Sequence, residues 1–75
     1  MNWETLKYIY YQVLIEKNTI RYNGDDKYTI TSHYPNGNKM WEREYQNGQL
    51  HEKSIWWWEN GNKVWEEEYQ NGKRI

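Results

Sequence analysis

From Thr19 onward the chain is a run of short segments in which apolar or aromatic residues alternate with polar ones, each closed by Asn-Gly. Period-two alternation marks a strand with one face covered. Asn-Gly between such segments is a strong hairpin signal, because a type I′ turn needs positive φ at both central residues. The pairs fall at 23–24, 36–37, 47–48, 60–61 and 71–72, at spacings of 13, 11, 13 and 11. They predict strands over 19–22, 27–34, 38–46, 49–58 and 62–70, with 73–75 the stub of another. Each strand follows its neighbour through a tight turn, so the chain reads as mainly β, an antiparallel meander of about five strands.

The stretch Asn36-Gly37-Asn38-Lys39-Met40-Trp41-Glu42-Arg43-Glu44-Tyr45-Gln46-Asn47-Gly48 returns 24 residues later as Asn60-Gly61-Asn62-Lys63-Val64-Trp65-Glu66-Glu67-Glu68-Tyr69-Gln70-Asn71-Gly72. A fixed internal period of this kind means stacked copies of one supersecondary unit.

Two-residue turns set the register, and the register sorts the faces. Around Asn36-Gly37 it places Tyr34 opposite Lys39, Ser32 opposite Trp41, Ile30 opposite Arg43 and Tyr28 opposite Tyr45. Around Asn47-Gly48, Tyr45 meets Leu50, Arg43 meets Glu52 and Trp41 meets Ser54. Around Asn60-Gly61, Trp58 meets Lys63, Trp56 meets Trp65 and Ser54 meets Glu67. One face then gathers Tyr28, Ile30, Tyr34, Trp41, Tyr45, Leu50, Trp56, Trp58, Trp65 and Tyr69. The other gathers His33, Met40, Glu42, Glu44, His51, Lys53, Ile55, Trp57, Val64, Glu66 and Glu68.

A single sheet with an aromatic face needs a second layer. Within the chain the only candidate is residues 2–17. As a helix, it has Asn2 at the N-cap, Glu4 in the first turn, and Trp3, Leu6, Tyr10 and Val13/Leu14 on one face, with Asn18 as a stop. As a strand, 8–15 is rich in β-branched and aromatic residues. The need for cover favours the helix, laid over Trp41, Tyr45, Trp56 and Trp65. The expectation is one domain over 1–75, with 2–17 a helical cap and 19–75 hairpin repeats. A second copy is the alternative cover, and an unpaired edge is itself a template for another chain. A homodimer is therefore expected, by edge pairing or by contact of aromatic faces.

Composition narrows the function. There are six Trp and eight Tyr but no Phe, and no Cys for a disulfide or a thiolate zinc site. A net charge of −1 argues against a nucleic-acid binder. No apolar run approaches the ~20 residues of a membrane span, and Met1-Asn2-Trp3-Glu4 lacks the basic start of a signal peptide, so a cytoplasmic protein is expected. In the derived register His33 faces Met40 and His51 faces Glu44, some ~13 Å apart along the ladder, too far to share a metal ion. No serine sits in a His-Asp constellation and no Asn-Gly turn has a phosphate-loop context. No enzyme, metal or cofactor is expected.

The recurrent Tyr/Trp-x-Asn-Gly-x-Lys…Glu…Tyr-x-Asn-Gly-x-Leu-His pattern, best in 34–51 and 58–73, resembles the bacterial and viral variant of MORN repeats, including YwqK-type antitoxin-like repeats. The resemblance spans about residues 20–75. It implies hairpin repeats with protein-binding or scaffolding roles, antitoxin activity among them. That family usually has Gly after the Leu-His step. Glu52 stands there instead, which implies a less bent strand entry.

The candidate binding surface is the polar face. Glu42, Glu44, Glu66 and Glu68 are incompletely answered by Lys53 and His51, and they surround an apolar island of Trp57, Ile55, Val64 and Met40. A solvated face of alternating charge would look similar, since strands need a polar side. As a functional surface, it would steer a basic protein partner, with Trp57 as the anchor. The same acidity disfavours nucleic acid and anionic membrane. A reading from a different class is carbohydrate or choline binding on stacked tryptophans, which requires Trp41, Trp56, Trp58 and Trp65 to be exposed. A self-assembling scaffold is a further alternative.

Overall fold

The computed structural model describes residues 3–75. A helix, α1 (Trp3–Tyr10), continues into a π-helical segment (Tyr11–Ile15). Six strands follow, β1 (Thr19–Gly24), β2 (Lys27–His33), β3 (Lys39–Gln46), β4 (Gln49–Trp57), β5 (Lys63–Gln70) and β6 (Lys73–Arg74), in one antiparallel sheet whose spatial order is the chain order. The expected meander with an N-terminal helical cap is therefore the fold, with the 73–75 stub forming a sixth short strand. The Asn2 cap lies outside the described residues.

The Asn-Gly pairs divide into three kinds. Asn47-Gly48 and Asn71-Gly72 have positive φ at both residues (52° and 80°; 52° and 85°), as type I′ demands. At Asn36-Gly37 and Asn60-Gly61 only the glycine is left-handed, at 92° and 94°. There the Gly N–H donates to the carbonyl three residues back, Tyr34 or Trp58, at 2.9 Å in each copy. These are three-residue loops, a type I turn closed by a left-handed Gly. The Asn side chain favours them by accepting the N–H two residues on, Asn38 or Asn62, again at 2.9 Å in both copies. These two loop hydrogen bonds thus repeat with the 24-residue period. The third kind is Asn23-Gly24, where the turn itself is Asp25-Asp26 (φ 53° and 58°) and Gly24 (φ 88°) marks an irregularity in the ladder.

Register follows the loops. Tyr28↔Tyr45, Ile30↔Arg43 and Ser32↔Trp41 stand as expected, but the three-residue loop sets His33, not Tyr34, opposite Lys39. In the same way Trp57, not Trp58, faces Lys63, while Trp56↔Trp65 and Ser54↔Glu67 hold. Between β3 and β4, Tyr45↔Leu50 holds, but beyond it Arg43 meets Ser54 and Trp41 meets Trp56. Two extra residues of β4 bulge opposite Glu44, and Glu52 takes φ 68°. The strand is therefore bent here even without glycine, against the expectation of a straighter entry. Because the insertion is even, alternation resumes unchanged on either side of the bulge, and it is Glu52 within it that turns to Glu44. The shift also aligns Trp41, Trp56 and Trp65 in one row, with ring centroids 6.4 and 5.5 Å apart.

The core is Tyr28, Ile30, Trp41 and Tyr45, with Tyr8 and Ile9 of the helix packed on it. The buried side of the helix is Thr5, Gln12 and partly Tyr8 and Ile9, not the predicted stripe: Trp3 and Tyr10 are 69% and 66% exposed, and Leu6 and Leu14 are exposed as well. Close approach explains the choice. A Cβ on Gly48 would stand 2.5 Å from Thr5 Oγ1, so the helix rests directly on the β3–β4 turn, where only a small side chain fits. Gln12 is satisfied by Asn18, whose Nδ2 donates to Gln12 Oε1 at 2.6 Å and whose N–H donates to the Gln12 carbonyl at 2.8 Å. The left-handed residue at the helix end is Lys17 (φ 60°), one before the expected Asn18. The helix also stops short of the far strands, leaving Trp65 47% and Trp58 58% exposed rather than covered.

Candidate functional site

Alternation along β3, β4 and β5 brings the candidate residues to one face, and their neighbours then divide them. Glu42 Oε2 accepts from Lys39 Nζ at 3.1 Å and from Thr31 Oγ1 at 3.0 Å. Glu66 meets Lys63 Nζ at 2.7 Å and Lys53 Nζ at 3.4 Å, and the Lys63 hydrogen bond holds its carboxyl below the usual range. The (i, i+3) Lys–Glu pair is the same in both repeats. Lys39 Nζ also stands 5.7 Å from the centroid of the half-buried Trp57 ring. At the Trp57 end the face is thus charge-balanced, because Lys39 and Lys63, which open β3 and β5 and were expected opposite Tyr34 and Trp58, stand opposite His33 and Trp57 instead. Ile55 and Val64 are half-buried beside Trp57, whereas Met40, at the irregularity opening β3, packs against the core cluster instead of joining the island.

The other end of the face is different. Glu44, in the ladder gap opposite the bulge, hydrogen-bonds to Glu52. Burial first, then that hydrogen bond and the charge of Glu52, push its carboxyl up to about 7. The shared proton holds Glu52 below the usual range. The expected His51–Glu44 pair is not formed, and His51 Nδ1 accepts the Asn71 N–H at 3.4 Å. Glu68 stands opposite Lys53. Among the described residues none of Glu44, Glu52 and Glu68 has an ion pair with a lysine or arginine. Together with His51, Lys53, Tyr69 and Ile75 they line one open depression. Sequence reasoning missed Glu52, since straight pairing put it opposite Arg43 on the aromatic face.

The aromatic face is only partly open. Trp41 is buried, Trp56 half-buried, and the Arg43 guanidinium lies 4.3 Å from the Trp41 centroid and 5.7 Å from that of Trp56. The condition set by carbohydrate or choline binding is met by Trp58 and Trp65 and not by the other two. Among the described residues no three His, Asp or Glu side chains stand together as a metal would require. No helix among them is long and apolar enough to cross a membrane.

Compared with protein-family models, curated proteins and solved structures, the chain finds no match in any of the three. The likeness to MORN-type repeats rests on the motif alone.

Proposed function

We propose that this chain is a non-enzymatic protein-interaction module that binds a basic protein along its polar sheet face. The observation that carries the reading is the depression at the β4 bulge, where Glu44, Glu52 and Glu68 gather without an ion-paired cation and Glu44 keeps a proton near neutrality. A guanidinium or ammonium entering there replaces that proton and relieves the repulsion between two carboxylates. Trp57, with Ile55 and Val64, offers the apolar contact at the other end of the face, where Glu42 and Glu66 are already paired with Lys39, Lys53 and Lys63. An antitoxin-like role within a cytoplasmic MORN-type family fits such a surface, by the motif resemblance alone.

Titration calorimetry with an arginine-rich peptide tests the reading, with a glutamate-rich peptide as control. Binding of the basic peptide alone, with proton release at neutral pH, is expected. Glu68→Lys should slow association and weaken its salt dependence, and Trp57→Ala should speed dissociation. Equal binding of both peptides, or affinity untouched by Glu44→Gln and Glu68→Lys, would refute it.

A further inference from the structure

We propose that two copies of this chain pack face to face, each laying the outer stripe of its helix on the bare β4–β5 half of the other's aromatic face. The proposal deepens the expectation of a homodimer and is independent of the basic-partner reading, since it uses the opposite side of the sheet.

The argument begins with a mismatch. The helix turns Thr5 and Gln12 toward its own sheet, with Tyr8 and Ile9 partly covered, and leaves Trp3, Leu6, Tyr10 and Leu14 outside, at spacings of three and four residues. Such spacing makes one continuous stripe on the face turned from the sheet. The same side of the sheet carries a second open apolar surface, Trp58 and Trp65, where the helix ends its cover.

The two surfaces have complementary form. One half of the aromatic face is built up by a helix and the other half is bare, so each copy presents a step. A two-fold axis in the helix layer fits each step into the other and gives three layers: sheet, two helices side by side, sheet. Taking ~150–250 Å² for each aromatic side chain and the exposed fractions of Trp3, Tyr10, Trp58 and Trp65, the two surfaces offer roughly 400–600 Å² per copy, with Leu6 and Leu14 besides, which reaches the low end of the share each partner buries in an interface of standard size.

Edge pairing, the other route to a dimer, has less to work with. β6 is two residues long and both are basic, Lys73 and Arg74, while β1 carries Arg21 and is broken in register before Gly24. Short charged strands and irregular ladders are the devices that keep sheet edges from joining.

Sedimentation equilibrium on the full chain should give twice 9.5 kDa at micromolar concentration. Tyr10→Glu and Trp65→Lys should each give a monomer with an unchanged circular dichroism spectrum, since both side chains are exposed in the single chain. Mixing the two variants should restore the dimer, because one of the two equivalent contacts then pairs the introduced carboxylate with the introduced ammonium and the other is native. Trp58→Lys serves in place of Trp65→Lys should that variant not fold. A monomeric native chain, a dimer that survives both substitutions, or variants that fail to pair on mixing would each overturn the proposal. So would a native monomer whose stripe instead binds neutral phospholipid vesicles. Glu44→Gln should leave the mass unchanged, and Tyr10→Glu should leave binding of the arginine-rich peptide unchanged, so the two readings fail separately.

Discussion

The hydroxyls of Tyr8 and Tyr45 stand 2.7 Å apart, their rings tilted at 57° with centroids 5.6 Å from each other. This contact ties the helix to the middle of the sheet. Tyr45 in turn stacks on Tyr28 at 5.1 Å and 8°, so one column of three tyrosines joins cap and core. Burial raises both sheet tyrosines, Tyr28 to about 12, which keeps their hydroxyls neutral.

The two stacked rings should respond differently to loss of a hydroxyl. Tyr45→Phe removes the bond to Tyr8 and should cost ~1 kcal/mol of unfolding free energy. The Tyr28 hydroxyl is buried without a partner among the described residues, so Tyr28→Phe should cost nothing or stabilise slightly. Urea unfolding of the two variants compares them directly. Equal losses would show that the hydroxyl pair does not anchor the helix.

Glu52 holds a conformation that suits glycine. At φ 68° a side chain costs about 1 kcal/mol relative to Gly, so Glu52→Gly should raise stability by roughly that amount. The gain should appear as a higher urea midpoint with an unchanged slope. A loss instead would mean that the Glu44 contact outweighs backbone strain.

Gly61, at φ 94°, closes its loop where no side chain is comfortable, although nothing lies within 4 Å of a Cβ built there. Gly61→Val should therefore cost well over ~1 kcal/mol through backbone strain alone. Thermal unfolding at an unchanged midpoint would disprove the loop assignment.

The Glu44–Glu52 pair makes stability depend on pH. The folded carboxyl of Glu44 titrates near 7, above its ordinary value of 4.5, so between these pH values the native state holds a proton that the unfolded chain has lost. Stability should then fall as pH rises from about 4.5 to about 7. The lowered Glu52 works in the opposite sense as pH falls, and the partial exposure of both groups keeps the net effect small. Glu44→Gln should remove the decline expected between about pH 4.5 and about pH 7 in the native chain. A decline of equal size in the variant would assign it to other groups.

The sequence by itself determined the meander, its strands, the repeat and the membership of most positions in each face. All of these follow from period-two alternation and from turn chemistry that acts within a few residues. The cross-strand neighbours of Trp41 and Glu44 were not legible, because a two-residue bulge preserves alternation and so leaves no trace in the pattern. Glu52 therefore stayed hidden as the partner of Glu44, and the shift that sets Lys39 and Lys63 opposite His33 and Trp57 hid the neutral end of the polar face. Only the tertiary structure decided which side of the helix is buried. Hydrophobic periodicity names the more apolar stripe, but contact with a sheet already filled by Tyr28 and Tyr45 selects the side that fits closely over Gly48 and brings Tyr8 to Tyr45. Fit between two surfaces is a property of neither sequence segment alone, and here it overrode the stronger apolar signal.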